Sequence, residues 1–333
     1  MQDSALTDLD LRLIHAVQIA PRAPWTTLAP IVGADAVTLA RRWNRLRDDG
    51  IVYVTGYGAG TSTALLSLIE IECAPGETLN VAQALQNDRE AFTIDLTAGG
   101  RDIMVSLIST DTSGLSQWTL ERIRSVARVR SMRTHLVSQP IADARNWRLR
   151  ALSKAEVAAV AKADQHTAPP MPRLQPDQLA ALTEHLAIDG RAGVTEIANA
   201  IGVPSRKVRD AIAALRASGR LVIRVDVARD HTPWPVYAWY FLRVPAAMVA
   251  SVGPQLGRME EVRLVVTTVG EFNVIMAVWL RTLQDVNRLE AVIEERLPGV
   301  TIADRSVVLR TVKHLGHFLD ERGQATGETV PMG

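Results

Sequence analysis

Thr38, Arg41, Arg42 and Arg45 recur at i, i+3, i+4 and i+7 in the stretch VGADAVTLARRWNRLRDDGIV, residues 32–52. At 3.6 residues per turn they share one helix face, while Leu39, Trp43 and Leu46 share another. Guanidinium groups sorted away from an apolar stripe can neutralise phosphates and donate paired hydrogen bonds to guanine edges. On one helix taken alone, a solvated charged face has the same pattern. A later stretch offers Ser205, Arg206, Lys207 and Arg209 at the start of a helix whose apolar stripe is Val208, Ile212 and Leu215. There the positions matching Arg41, Arg42 and Arg45 hold Asp210, Ala211 and Ala214, so the two faces differ in charge.

Two glycine turns are the other candidates for binding. Gly99 and Gly100 precede Asp102, and Gly270 and Glu271 precede Asn273. Glycine lets backbone N–H groups approach a carboxylate closely. Asp102 suits an ammonium group, whereas Asn273 offers only neutral hydrogen bonds, so the first turn is expected to hold an amino-acid-like ligand more tightly. Plain turns need the same glycines. His314 and His317 suggest a metal pair or, lacking any evident acid or cysteine partner, a surface segment after the last strand. Trp234, Tyr237, Trp239 and Tyr240 serve strand packing or a lid over a ligand. No GxSxG, HExxH, Walker lysine loop or Rossmann fingerprint is present. Common hydrolases and nucleotide enzymes are thereby disfavoured. A non-enzymatic protein with no cofactor and no bound metal is expected.

The elements that must position these residues belong to a chain of 333 residues, 47% hydrophobic and 22% charged, long enough for two or more cores. The formal charge of +1 gives no global pull toward nucleic acid, so any attraction is local. The lone cysteine, Cys73, leaves no internal disulfide and fits a small buried residue in a reducing cytoplasm. The opening MQDSALTDLDLRLI carries acid ahead of its apolar residues, unlike a secretory signal. No apolar run approaches the roughly 18 residues that span a bilayer.

The chain repeats itself. LAPIVGADAVTLARRWNRLRDDGIV matches IANAIGVPSRKVRDAIAALRASGRLV, with Gly33 on Gly202, an offset of 169. TAGGRDIMVSL matches TVGEFNVIMAV, with Thr97 on Thr268, an offset of 171. A two-part unit is therefore duplicated in the order A-B-A′-B′. In part A, residues 6–20 have helical spacing, Gly33 ends a short helix, Asp35 caps the next and Gly50 stops it. Two helices joined by a glycine turn, the second rich in arginine, form a helix-turn-helix pattern. Part B reads strand, helix, two strands around the glycine turn, helix, strand. The expected fold is α+β, with two winged-type helix-turn-helix domains alternating with two ferredoxin-like βαββαβ domains. The boundaries are 1–58, 61–140, a helical and proline-rich linker at 141–173, then 174–228 and 234–318. The linker includes a charged helix over 142–163, and the tail from Glu321 is expected to be loose.

LTDLDLRLI, VGADAVTLARRWNRLRDDGIV, and a βαββαβ pattern carrying GEFN at its hairpin and LPGV before its last strand resemble the Lrp/AsnC transcriptional regulators, in tandem form. The resemblance implies DNA-binding domains at the periphery and sensing domains that pair through their sheets. It further implies a small effector, often an amino acid, near the hairpin glycines. Double-stranded DNA, an effector and further copies of the chain are the implied partners, with no membrane. The implied effector residues are Gly99, Gly100, Asp102, Gly270, Glu271 and Asn273. The first repeat departs from the pattern, reading Val126-Ala127-Arg128-Val129 where the second reads Leu297-Pro298-Gly299-Val300. The siroheme decarboxylases resemble the same architecture, and His231 in RDHTPWPVYAWYF is loosely similar to their histidine chemistry. A sensor that binds no DNA is a third reading.

Overall fold

The computed structural model describes residues 6–58, 64–164 and 169–332. Residues 1–5, the expected domain start at 61, and 165–168 of the connector lie outside them. Contacts gather the chain into two compact units that cut across chain order. One takes Met1–Ser62, Arg148–His231 and Gln324–Met332; the other takes Thr63–Trp147 and Thr232–Gly323.

The first unit is mostly helical. Its helices α1 (Asp8–Ile19), α2 (Trp25–Val32) and α3 (Ala36–Asp48) lead into strand β1 (Val52–Gly58). Thr7 and Asp10 form a reciprocal capping box on α1, and Asp35 caps α3 through the Thr38 amide. Leu39, Trp43 and Leu46 are buried, as the helical spacing predicts. The same sequence of elements returns as α7 (Pro176–Ile188), α8 (Val194–Ile201), α9 (Ser205–Ala217) and strand β6 (Leu221–Val227). β1 and β6 pair antiparallel, Val52 opposite Val227 and Gly58 opposite Leu221. The packing is crossed, with α7 on β1 and α1 on β6. Gly56 must be a glycine for this reason: a Cβ there would stand 2.9 Å from the Leu186 Cβ.

A reciprocal pair of arginines ties the two copies. Arg22 donates to the Gly190 and Ala192 carbonyls at 2.6 and 2.9 Å. Arg191, its match at offset 169, donates to the Pro21 and Ala23 carbonyls at 2.5 and 3.2 Å. The interface is thus self-complementary, in the manner of a two-fold dimer, but within one chain.

Two expectations are corrected in this unit. The linker helix does not run over 142–163; only α6 (Lys154–Ala163) is α-helical. The Leu149 and Leu152 amides donate to Gln18 Oε1 and His15 Nδ1, and Arg150 has φ of 61°, so the chain ahead of Ser153 is non-helical and lies against α1. Ser153 and Glu156 then cap α6, which Arg12 holds through Glu156 at 2.7 Å. The tail is ordered too. A short strand occupies Ala325–Thr329, and the Ala325 amide donates to the Gly50 carbonyl.

The second unit holds both βαββαβ repeats. Strands β2 (Leu65–Cys73), β3 (Ala91–Ala98), β4 (Ile103–Ser109) and β5 (Val129–Ala142) belong to the first, with helix α4 (Thr78–Leu85). Strands β7 (Val236–Arg243), β8 (Val262–Val269), β9 (Val274–Leu280) and β10 (Thr301–His314) belong to the second, with α10 (Val249–Leu256) and α11 (Gln284–Arg296). The second helix expected in the first repeat is broken. An α-turn, α5 (Thr112–Ser116), passes into a π-turn and a 3-10 turn. Gly114 weakens the helix there, and Trp118 is drawn inward to donate to Asp88.

The long strands join the repeats. β5 pairs with β2 up to Leu136 and from there with β8. β10 pairs with β7 up to Val307 and from there with β3. The order β3-β4-β2-β5-β8-β9-β7-β10 therefore closes on itself. Side chains alternate along each strand. Ile69, Ile71, Ile103 and Val105 pack under α4, and Tyr240, Leu242, Val274 and Met276 pack under α10 and α11. The opposite faces meet in a third layer of Leu68, Met104, Trp239, Phe241, Phe272 and Ile275. The histidines after the last strand are not a surface segment. His314 and His317 face each other across a tight turn, and His317 is buried.

His15 supplies a test of the first unit. Burial, with the charges of Arg148 and Arg150 adding to it, pushes its ring down to about 4 from 6.5. The unfolded chain takes up a proton near 6.5, while the folded one resists until about 4. Stability is therefore full above pH 6.5 and falls as pH drops toward 4, by at most about 3 kcal/mol. Urea denaturation between pH 7 and 4 is expected to show this slope, and His15→Gln, which keeps an acceptor, to flatten it.

Candidate functional site

The arginine face of α3 is built from two helices. Asp10 of α1 is almost fully buried and accepts from Arg42 at 3.0 Å and from Arg45 at 3.4 Å. Burial alone would raise the Asp10 carboxyl; hydrogen bonds from Thr7 and then Arg42 outweigh it and hold the group below the ordinary carboxylate value. Arg42 and Arg45, expected to contact DNA, are both held by this carboxylate, and Arg45 keeps 55% of its side chain exposed. Arg41 is exposed. Thr38 does not present a free hydroxyl: it donates to Asp35 at 2.7 Å. Sequence reasoning missed Asp10; the spacing Thr7-x-x-Asp10 signals a helix cap and carries no sign of the arginines on α3.

On α9 the matching face is closed. Ala211 and Ala214 are buried, and Leu179 of α7 stands where Asp10 stands on α1. Ser205 opens the helix, and Arg206, Lys207 and Arg209 are exposed. Arg206 lies 3.7 Å from Asp210, one turn on. The two turn-helix units thus differ in both charge and relief.

The hairpins share one backbone design. Gly99 and Gly270 have φ of 118° and 147°, and Gly100 is exposed. Thr97 Oγ donates to the Arg101 carbonyl, and Thr268 Oγ to the Phe272 carbonyl. Asp102 accepts from the Cys73 amide at 2.7 Å. Asn273 accepts from the Val244 amide and donates to its carbonyl. Both residues expected to meet a ligand therefore brace the ends of β2 and β7. Glu271 is paired with Arg243.

Beneath the hairpins lies a buried charge cluster. Glu70 accepts from Arg101 Nε and from His135 Nε2, each at 2.5 Å. Arg101 also donates to Ser306 and Asp304 and lies 4.0 Å from the Phe241 ring centre. Burial alone would raise the Glu70 carboxyl; the His135 and Arg101 bonds overcome it and hold it below the ordinary range. Asp95 behaves oppositely. It is wholly buried and pushed up by burial, although Trp239 and Thr311 donate to it. Arg101, Glu70 and His135 were missed by sequence reasoning. In LLSLIEIEC, Glu70 shares a face with Leu66 and Leu68, and an acid on a strand covered on both faces needs a buried cation. Among the described residues no His/Cys/Asp/Glu group is arranged to hold a metal ion. No helix among them is long and apolar enough to cross a membrane.

Residues 6–47 match the AsnC-type helix-turn-helix domain, and residues 66–147 match the Lrp/AsnC ligand binding domain. The HTH-type transcriptional regulator FL11 of Pyrococcus abyssi is 28% identical over 128 residues, 38% of this chain and 83% of its own length. The HTH-type transcriptional regulator AldR of Mycolicibacterium smegmatis is 23% identical over 145 residues, 42% of this chain and 85% of its own length. Among solved structures, the siroheme decarboxylase NirDL, in co-complex with an iron-uroporphyrin III analogue, is similar over 92% of this chain and 93% of its own. Its TM-score is 0.57 at 14% identity, a likeness of fold.

The Asp10 contact is open to a double-mutant cycle. Asp10→Asn and Arg42→Ala, singly and together, are expected to show a coupling of about 1 kcal/mol in urea denaturation. Strictly additive effects would mean that the two side chains do not act on each other in solution.

Proposed function

We propose that this chain, Lrp/AsnC-type in its first half, is a DNA-binding transcriptional regulator whose two unlike turn-helix units read one asymmetric DNA site, under control of a small effector. The second half is read as a second copy of the same pair of domains. The observation that carries the reading is the arginine face of α3, with Arg42 and Arg45 oriented by a buried carboxylate. A carboxylate that fixes two guanidinium groups favours defined base contacts over loose phosphate attraction. α9 keeps its cations at its first turns, where they suit phosphate. The sensing unit contributes the hairpin residues Gly99, Gly100, Gly270 and Glu271 as the effector region. Its two repeats already cover each other's sheets, so assembly of two or more chains is a further step that multiplies the turn-helix units.

The test uses DNA enriched from a genomic pool by the purified chain. Arg41→Ala plus Arg42→Ala is expected to weaken binding at least tenfold, on the order of 1–3 kcal/mol per lost base contact. Arg206→Ala plus Lys207→Ala is expected to act less and to flatten the dependence on salt. The reverse ranking contradicts the assignment of base reading to α3. Light scattering at micromolar concentration is expected to give a dimer or larger; monomer alone, with DNA binding intact, counts against assembly.

A second reading has one observation in its favour, the likeness to the siroheme decarboxylase over nearly the whole chain. His231, the histidine offered for that chemistry, lies in the helical unit with Nε2 2.9 Å from Gln324 Nε2. Titration with iron-uroporphyrin III decides between the two. A saturable Soret shift with loss of a carboxylate as carbon dioxide supports the enzyme; neither is expected of the regulator.

A further inference from the structure

The two hairpins match in backbone and differ in what meets them. Ile71 pairs with Ile103 as Leu242 pairs with Val274, so offset 171 holds across the unit. On that register Arg101 matches Phe272, Glu70 matches Phe241, and His135 matches Ser306. Each hairpin glycine faces one polar side chain from the other repeat's long strand. A Cβ on Gly99 would lie 3.3 Å from Ser306 Oγ, and one on Gly270 would lie 3.7 Å from His135 Nδ1. At the first hairpin the chain itself satisfies that atom, through the Arg101 guanidinium on Ser306. At the second, Phe272 replaces the arginine and donates nothing. His135 is 1% exposed, and its Nδ1 has no hydrogen-bond partner.

We propose that the chain has one ligand site, at the second hairpin, where His135 Nδ1 accepts a hydrogen bond from the ligand, and that Arg101 is a built-in occupant that closes the first. The proposal rests on the sensing role given above to this unit and assigns that role to one side of it. Nε2 is bonded to a carboxylate, which only accepts, so Nε2 carries a proton, and the lone pair of that tautomer lies on Nδ1. Buried polar atoms without partners are uncommon and ask for one. The rings of Phe241 and Phe272 lie 6.0 and 5.7 Å from the imidazole and give the ligand an aromatic wall. The ligand is not a cation. Arg101 is held by Glu70 and Asp304, whereas the matching positions here are Phe241 and Arg133. The class that fits is an aromatic or branched apolar molecule bearing a neutral N–H or O–H donor. This reverses the sequence-based expectation that the first hairpin binds more tightly.

Indole is the probe, with 1-methylindole lacking the donor and benzamidine carrying a cation. Calorimetry on the full chain is expected to give one indole per chain, at least tenfold weaker binding of 1-methylindole, and no preference for benzamidine. His135→Phe is expected to reduce indole to the level of 1-methylindole, and Ser306→Ala to leave indole unchanged. The ligand pair on the unaltered chain remains decisive even where His135→Phe fails to fold. Two indoles per chain, equal binding of both indoles, or no saturable indole binding overturns the proposal. Selective DNA binding is measured on the same sample. If it persists while the indole result fails, the site assignment alone falls. If it is absent while indole binds as expected, the regulator reading alone falls.

Discussion

A βαββαβ sheet has helices on one face and must cover the other. In this chain that second face is apolar in both repeats apart from the Glu70–Arg101–His135 cluster, and each repeat is the other's cover. Leu68 and Met104 from one sheet meet Trp239, Phe241 and Phe272 from the other. The strands β5 and β10 enforce the meeting, because each spends half its length in either sheet. Neither repeat can leave without unpairing both long strands. The closed order also removes the open sheet edges that would otherwise invite pairing with other chains. The helical unit follows the same logic on a smaller scale, through the β1–β6 ribbon and the Arg22–Arg191 exchange.

Placing both copies in one chain frees matched residues to differ. In a dimer of identical subunits a substitution appears twice across the axis, whereas here it appears once. The sheet unit uses that freedom to bury one charge cluster, Glu70–Arg101–His135, against an aromatic pair at the matched positions. The helical unit uses it to hold arginines on α3 with Asp10 while closing the matched face of α9 with alanines. Removing one partner of a buried charge pair is costly, so these polar contacts also fix which copy stands where.

Much of the fold was legible because the two periodicities are strong and repeated. The helix stripe of Leu39, Trp43 and Leu46 and the apolar runs of β2 and β9 belong to the local chain and are visible there. What was not legible depends on distant partners. The tail is polar and lacks alternation, and it is ordered by a backbone bond to Gly50. β5 runs past Pro140, a residue that normally ends a strand, because the register slips on either side of it while pairing with β8. At the hairpins, Asp102 and Asn273 have the residue types of ligand contacts, and only the folded chain reveals that the amides of Cys73 and Val244 already use them. Glu70 and His135 come together from neighbouring strands, a pairing with no signature in linear spacing.

The central claim is that an intramolecular pair of unlike turn-helix units reads DNA. Selection of bound duplexes from a random-sequence pool at physiological salt, followed by hydroxyl-radical footprinting, tests it directly. The expected result is an enriched, non-palindromic sequence whose protected backbone is continuous and unequal in its two halves. Recovery of no common sequence after several rounds, with binding that disappears as salt is raised, would contradict it.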